Sequence, residues 1–346
     1  MSVKTFLVDL RIERQRKNFT LLSDFLVTKI HEILTEKKQA MLLLNKRGHS
    51  SSILCTSCGQ VAQCHHCDLP LTLHLTKKYP QGILICHLCG HMETPRSTCS
   101  FCQSSDILPV GWGTQKVEEL LRIHFPEARI LRVDTDTMRS KDAYTELHRG
   151  LTQHEFDIVI GTQIIAKGLD LPQVSLVAVL NADVGMSIPD FRASERMFQL
   201  VTQLVGRVGR RSHSGTVVIQ SFNPESPVLS LASQSKYEEM YTEMMKERME
   251  HGYPPASEFI LLSITDMEPE RAMKRAKALG DALEIAQKDI AAAKDVEMYV
   301  APAFFTKQQG KYRYHVTLKG NGAAELLEHI TIPRDVVVDR EPLMTV

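Results

Sequence analysis

The chain has 346 residues, 43% hydrophobic and 24% charged, which suits two or three globular domains whose cores need no disulfides. Lys plus Arg number 41 and Asp plus Glu number 41, a balance that excludes a uniformly basic nucleic-acid binder and an acidic disordered chain. No apolar run approaches the ~18 residues of a membrane span, and the charged N-terminus MSVKTFLVDLRIERQRKN lacks the apolar core of a secretion signal, so a cytoplasmic protein with no membrane partner is expected.

In chain order, TFLVDL predicts a short strand. Leu22, Phe25, Leu26, Ile30, Ile33 and Leu34 recur at helical spacing across 21–38, and the apolar run Gln39–Leu44 predicts a buried strand. A cysteine-rich segment, 46–104, interrupts there. ILPVGWG then leads into a helix, TQKVEELLRIHF, stopped by Pro126. A strand (ARILRVD), a helix (141–151), a second strand (FDIVIG), the loop TQIIAKGLDLP and a third strand (VSLVAVLNAD, 174–183) follow. The helix ERMFQLVTQLVGRVG and the strand GTVVIQSF (215–222) complete the series. Alternation of strand and helix predicts a parallel sheet covered on both faces, so 1–45 and 105–227 form one α/β domain around the cysteine insertion.

Residues 228–250 predict a single Met- and Glu-rich amphipathic helix, so 228–254 is a connector that ends at the turn GYPP (252–255). Beyond it come a strand (EFILLSITD), a long helix (EPERAMKRAKALGDALEIAQKDIAAA), two strands (VEMYVAPAFF and KYRYHVTLKG), a helix (AAELLEHI) and a last strand (DVVVD). They predict a separate α+β domain at 255–346.

All eight cysteines lie in the insertion, as four C-x-x-C pairs within 48 residues: Cys55/Cys58, Cys64/Cys67, Cys86/Cys89 and Cys99/Cys102. Disulfides do not suit a cytoplasmic chain, and four clustered copies argue against redox chemistry. Two such knuckles complete a tetrahedron of thiolates, so two closed four-cysteine sites for Zn2+ are expected, with iron–sulfur clusters as the alternative. The 18 residues between Cys67 and Cys86 read as a hairpin of LTLHL and ILIC. That hairpin predicts one zinc on Cys64, Cys67, Cys86 and Cys89, and the other on Cys55, Cys58, Cys99 and Cys102. Sequential pairing, 55/58 with 64/67, is the alternative across the link Gly59–Gln63. His65, His66, His87 and His91 are potential ligands, or else surface and second-sphere groups. Closed sites predict structural rather than catalytic metal.

Two further stretches carry chemistry. Gly161-Thr162-Gln163, followed by Ala166–Asp170, ends an apolar strand, where open α/β sheets bind ligands. Gln203–Arg211 places Arg207 and Arg210 three apart, one helical turn, and arginine makes bidentate contacts with phosphoryl oxygens. A solvated basic helix end is the plainer reading of the second stretch. Both stretches are expected on one edge of the sheet. In the last domain Lys307, Lys311, Arg313 and Lys319, interleaved with Tyr312 and Tyr314, form a candidate DNA-binding patch, or an ordinary strand with a solvated face.

QLVGRVGR resembles motif six of superfamily-two helicases, Q-x-x-G-R-x-x-R, and GTQIIAKGLDLP resembles motif five. VGWGTQKVEELLRIHFP, RVDTDT and IPDFRASERMFQLVTQ, behind the four C-x-x-C pairs, resemble in that order the C-terminal half of the PriA family, the bacterial primosomal replication-restart helicases. The resemblance runs from about residue 5 to 346, and YPP with KYRYHVTLK is similar to that family's last domain, a fold like a small ribosomal protein. It implies a RecA-like second helicase lobe with an inserted two-zinc module and a small α+β domain. It implies an ATP-dependent 3′–5′ DNA helicase that remodels stalled forks and loads the replicative helicase. ATP with Mg2+ would bind between two lobes, with Arg207 and Arg210 on the triphosphate, Gln203 nearby, and Gly168 and Asp170 at the cleft. Thr114 and Thr162 would contact the DNA backbone. The zinc module would meet the unwinding strand and partner proteins, and the last domain would bind branched and single-stranded DNA and single-strand binding protein. Primosome proteins and the replicative helicase or its loader are the further partners.

The chain departs from that family in two ways. It contains no G-x-x-x-x-G-K-[ST] and no D-E-x-H, so the first motor lobe is expected to be missing and half an ATP site to be present. Alone, such a chain is expected to bind zinc and DNA without hydrolysing ATP. Gly168–Pro172 replaces the family's histidine-containing turn and looks more like the repair helicases UvrB or RecG, neither of which carries the eight-cysteine insertion. A non-catalytic zinc-ribbon adaptor built on a helicase lobe is therefore the second functional class.

Overall fold

The computed structural model describes residues 3–44, 52–67, 69–75, 79–110, 113–133, 141–162, 165, 174–208 and 215–342. The first segment forms β1 (Lys4–Asp9), α1 (Leu10–Gln15), α2 (Asp24–Thr35) and β2 (Gln39–Leu43). The cysteine insertion forms β3 (Ser52–Cys55), β4 (Thr72–His74), β5 (Ile83–Ile85), β6 (Met92–Glu93) and β7 (Ile107–Val110). After it come α3 (Thr114–His124), β8 (Ile130–Val133), α4 (Lys141–Thr152), β9 (Ile158–Gly161), β10 (Val174–Val179), α5 (Asp183–Met186), α6 (Ala193–Arg207) and β11 (Thr216–Ser221). The C-terminal part forms α7 (Pro227–Ser233), α8 (Tyr237–His251), β12 (Phe259–Asp266), α9 (Pro269–Gln287), β13 (Glu297–Gln308), β14 (Lys311–Lys319), α10 (Ala323–Glu328) and β15 (Val337–Arg340).

Strands β1-β11-β10-β2-β9-β8, in that spatial order, make one six-stranded sheet whose pairings are all parallel. Its central strands are apolar on both faces because helices cover both. Met41, Leu43, Val177, Val179, Val217 and Ile219 pack on one side with Met197, Val201 and Leu204 of α6. Ala40, Leu42, Leu176, Ala178 and Val218 pack on the other with Leu26 and Ile30 of α2 and Val117 and Leu121 of α3. Gln220 is wholly buried in β11, yet its amide is satisfied. It donates to the carbonyls of Leu21 (2.6 Å) and Leu180 (2.9 Å) and accepts from the Ser23 N–H (3.1 Å). Ser23 in turn caps α2, its Oγ accepting from Leu26 N–H at 3.1 Å.

The structure departs from the sequence expectations in four places. The helix expected over 228–250 is two helices, broken at Ser235, whose φ is +55°. The run Ser233-Gln234-Ser235 supplies side chains that bond back to the preceding turn, Ser233 Oγ to Ser230 O at 2.8 Å, and such residues favour helix ends. Leu229, Ala232 and Met240 join the lobe's core, so α7 and the start of α8 belong structurally to the lobe. The strand expected to 183 stops at Val179, and Ala182–Asp183 turns into α5. ILPV forms strand β7, paired antiparallel with β3, where the pattern suggested only a lead-in to a helix. The long helix ends at Gln287, with a 3-10 turn at Ala291–Ala293.

The terminal domain is an antiparallel sheet of order β13-β14-β12-β15. The two-residue alternation of a strand separates its faces. Ile260, Leu262, Ile264, Val316 and Leu318 pack on Ala276, Leu279 and Leu283 of α9. Phe259 and Tyr299 pack instead against the cysteine module.

Candidate functional site

The antiparallel β3–β7 ladder places Cys55 opposite Ile107, so the knuckle after β3 meets the one before β7. The β4–β5 hairpin, with Thr72 opposite Ile85, likewise joins the second and third knuckles. The eight cysteines therefore form the two expected groups, Cys55/Cys58/Cys99/Cys102 and Cys64/Cys67/Cys86/Cys89, with all Sγ atoms of a group within 4.8 Å of one another. The sequential pairing is not formed.

Three of the Sγ–Sγ separations are 3.6 Å (Cys55–Cys102), 3.7 Å (Cys58–Cys99) and 3.7 Å (Cys64–Cys89). A tetrahedron of thiolates around zinc, with Zn–S of about 2.3 Å, has edges of about 3.8 Å, so the donors fit that ion. Burial pushes the Cys58 thiol up to about 12 and raises Cys55 and Cys64. At Cys99 burial is outweighed by the Cys102 and Phe101 N–H groups, which hold it at about 7. Four sulfurs so close ionise together only beside a dication, and four thiolates suit a soft one. His65, His66, His87 and His91 are in neither four-sulfur group.

The module is wedged between lobe and terminal sheet, one sulfur group toward each. Gly59, directly after Cys58, has φ +77°, and a Cβ there would stand 2.3 Å from the Phe222 carbonyl oxygen at the end of β11. Gly90, directly after Cys89, has φ +76°, and its Cβ would stand 2.9 Å from the Val300 carbonyl oxygen in β13. Glycine is required at both for the left-handed turn and for the close approach. His87 lies 2.8 Å through Nδ1 from the Pro302 carbonyl and 2.9 Å through Nε2 from His74 Nε2. A carbonyl only accepts, so Nδ1 carries the proton and Nε2 accepts from His74. Burial lowers the His87 pKa to about 4, consistent with that neutral ring. Leu71, Leu84, Leu88, Tyr253 and Phe259 close the contact, and Phe191 of the lobe stacks on Tyr253 at 4.6 Å and 9°.

Thr162 follows β9 at the C-terminal edge of the sheet. Gln203 is exposed on α6, and the backbone of Arg207 ends that helix. Val208 abuts Gly215, where a Cβ would meet Val208 Cγ1 at 2.1 Å, so the C-terminal end of α6 stands beside the start of β11. The expectation that both motifs share one sheet edge is thus corrected: Thr162 and the end of α6 lie at opposite edges, because α6 is the crossover between two parallel strands. Gly168, Asp170 and Arg210 lie outside the described residues. Thr114 opens α3 and is buried, with 5% of its surface exposed.

Lys311 and Arg313 begin β14, and Lys307 Nζ stands 5.1 Å from the centre of the Tyr312 ring. Lys319 leaves the expected patch. It ends the same strand at the interdomain junction, 2.7 Å from Glu297 and 3.1 Å from the His251 carbonyl. Sequence reading missed Asp183. It is buried, accepts from Ser221 Oγ (2.8 Å) and Phe222 N–H (2.8 Å), and burial raises its pKa to about 6. An Asn-Ala-Asp run straight after an apolar strand was the available signal. It also missed Asp190, whose buried carboxylate holds Arg196 at 2.9 Å inside the IPDFRASER segment.

Residues 81–212 match the family described as Helicase conserved C-terminal domain. The chain is 42% identical over 278 residues to the replication restart protein PriA of Bacillus subtilis, covering 80% of this chain and 34% of the relative. It is 35% identical over 332 residues to PriA of Treponema pallidum, covering 94% and 49% respectively. The chain thus spans between about a third and a half of those relatives. The C-terminal domain of the DEAD-box protein Dbp5 aligns at 13% identity and a TM-score of 0.35, over 71% of this chain and 98% of that one. Domain 2 of the DEAD-box helicase Mss116p aligns at 14% identity and 0.34, over 83% and 78%. With its parallel helicase-type lobe, its paired cysteine groups and its identity to PriA relatives over most of its residues, the chain belongs to the PriA family of replication restart proteins.

Proposed function

We propose that this chain is the second motor lobe, zinc module and terminal domain of an ATP-dependent 3′–5′ DNA helicase acting in the cytoplasm on stalled forks. The observation that carries the reading is α6. It is the crossover helix of a parallel lobe inside the helicase-family match, and it presents exposed Gln203 four residues, one turn, before Arg207. Arg207 and Arg210 act on the triphosphate, where guanidinium charge offsets charge developing on the transferred phosphoryl group, and Gln203 helps orient them. Gly168 and Asp170 border the nucleotide, whose Mg2+ and phosphate loop come from a first lobe. Thr162 contacts the DNA backbone. Thr114, buried at the start of α3, positions that helix, and its burial speaks against direct contact with DNA. Zinc, when bound to the two cysteine groups, supplies cross-links that hold the module in shape. Lys311 and Arg313, with Lys307, form the salt-sensitive contact to branched and single-stranded DNA. Single-strand binding protein, primosome proteins and the replicative helicase or its loader are the protein partners.

The chain lacks a phosphate-binding loop, so alone it binds DNA without hydrolysing ATP. The test is to add a PriA first lobe in trans and measure DNA-stimulated ATPase. Restored turnover that is lost in Arg210→Ala and reduced in Gln203→Ala supports the motor reading. ATPase from the chain alone refutes the half-site, and no restoration favours the zinc-ribbon adaptor.

A further inference from the structure

Three histidines outside the cysteine groups converge at the solvent side of the second one. His65 and His66 sit within the Cys64–Cys67 knuckle, and His91 follows the Cys86–Cys89 knuckle. Their ring centres are 4.0 Å apart (His65–His66), 4.3 Å (His65–His91) and 5.2 Å (His66–His91). One ring nitrogen from each lies within 4.8 Å of the other two. His91 Nε2 is shielded from solvent and makes no hydrogen bond, an arrangement that proteins seldom leave standing. The carboxylate facing it is Glu93, with Oε2 at 3.5 Å, and Arg96 stands 3.8 Å from that same oxygen.

We propose that His65, His66 and His91 form a third metal site, an imidazole site for a divalent zinc-like ion with Glu93 as its anionic neighbour. Imidazole suits zinc, copper and nickel, and a carboxylate beside three neutral rings offsets part of the ion's charge. With Zn–N of about 2.0–2.1 Å, three ligating nitrogens lie about 3.4 Å apart. His65 and His66 are both exposed, so their rings have room to turn toward an ion held by His91. The ion cross-links the second and third knuckles from outside, a clasp over the sulfur site that those knuckles build within. His65 and Glu93 also line an open cleft, which gives a route of entry.

The test is a Co2+ titration of the full chain with both cysteine groups filled by zinc. One further equivalent is expected, with d–d absorption and no sulfur-to-cobalt charge transfer. It is lost in His91→Asn and in the double variant His65→Gln/His66→Gln, while both variants keep two zinc ions per chain by elemental analysis. That retained content shows that they fold. The proposal is overturned if no further equivalent binds, if it carries sulfur charge transfer, or if it survives in the variants.

Discussion

The ring of His87, inside the third C-x-x-C knuckle, reaches across a domain boundary to the carbonyl oxygen of Pro302, 2.8 Å from Nδ1. That bond, with the His74 contact behind it, ties the module to the edge of the terminal sheet. Replacing His87 by Ala removes the ring that bonds the Pro302 carbonyl and His74 Nε2 in this part-buried contact. A lost buried hydrogen bond costs about 1–3 kcal/mol, and the vacated ring volume adds to it. The expected result is a lower urea midpoint and faster proteolysis near 252–257, with zinc content unchanged. An unchanged midpoint would show that the bond contributes nothing.

Gly59 makes the corresponding contact on the lobe side. A side chain there meets the Phe222 carbonyl at 2.3 Å and must also hold φ at +77°. Gly310 isolates the second effect, because its φ is +82° and nothing stands within 4 Å. Gly310→Ala is expected to cost about 1 kcal/mol, the ordinary cost of a left-handed L-residue. Gly59→Ala should cost clearly more and lower Tm further. Equal losses would mean that the module moves away from Phe222 freely.

The two cysteine groups are separate sites, so each should fail alone. Cys99→Ser is expected to remove one zinc and expose the segment around β3 and β7 to protease. Cys67→Ser should remove the other and expose β4–β6. Strong chelation should unfold 52–110 while the six-stranded sheet persists, since metal binding and local folding are coupled. Loss of both ions in either single variant would contradict independence.

Asp183 links stability to pH. Burial raises its pKa from 3.8 to about 6, so the folded state binds a proton that the unfolded chain has released. The stabilisation is fully present below pH 3.8 and is lost as pH rises through about 6. Its size is about 3 kcal/mol at 1.36 kcal/mol per unit. When protonated, the carboxyl donates to Ser221 Oγ while still accepting from Phe222 N–H. Wild type should therefore gain stability over Asp183→Asn between pH 7 and pH 5 in urea unfolding. Parallel pH profiles for the two proteins would remove Asp183 from this role.

Local physics made much of this architecture legible in the sequence. Apolar strands alternating with amphipathic helices specify a doubly covered parallel sheet, because backbone and side-chain burial leave few other solutions. The cysteine spacing specified the nested pairing, inner knuckles together and outer knuckles together, since a hairpin of the right length brings its own ends together. The break at Ser235 was hidden because the apolar pattern continues through it, and only the backbone turns. The strand β7 was hidden because its partner lies more than 50 residues away.

What the sequence by itself determined is the alternation of strand and helix in the lobe, the two cysteine centres and the family signature, all carried by patterns within short segments of the chain. Tertiary structure alone decided that Lys319 belongs to a half-buried interdomain junction, that the end of α6 stands across the sheet from Thr162, and that Gly59 and Gly90 turn the cysteine module against two different domains. Those relationships depend on which distant surfaces meet. Burial and steric fit set them, and neither is encoded in the spacing of residues along one segment.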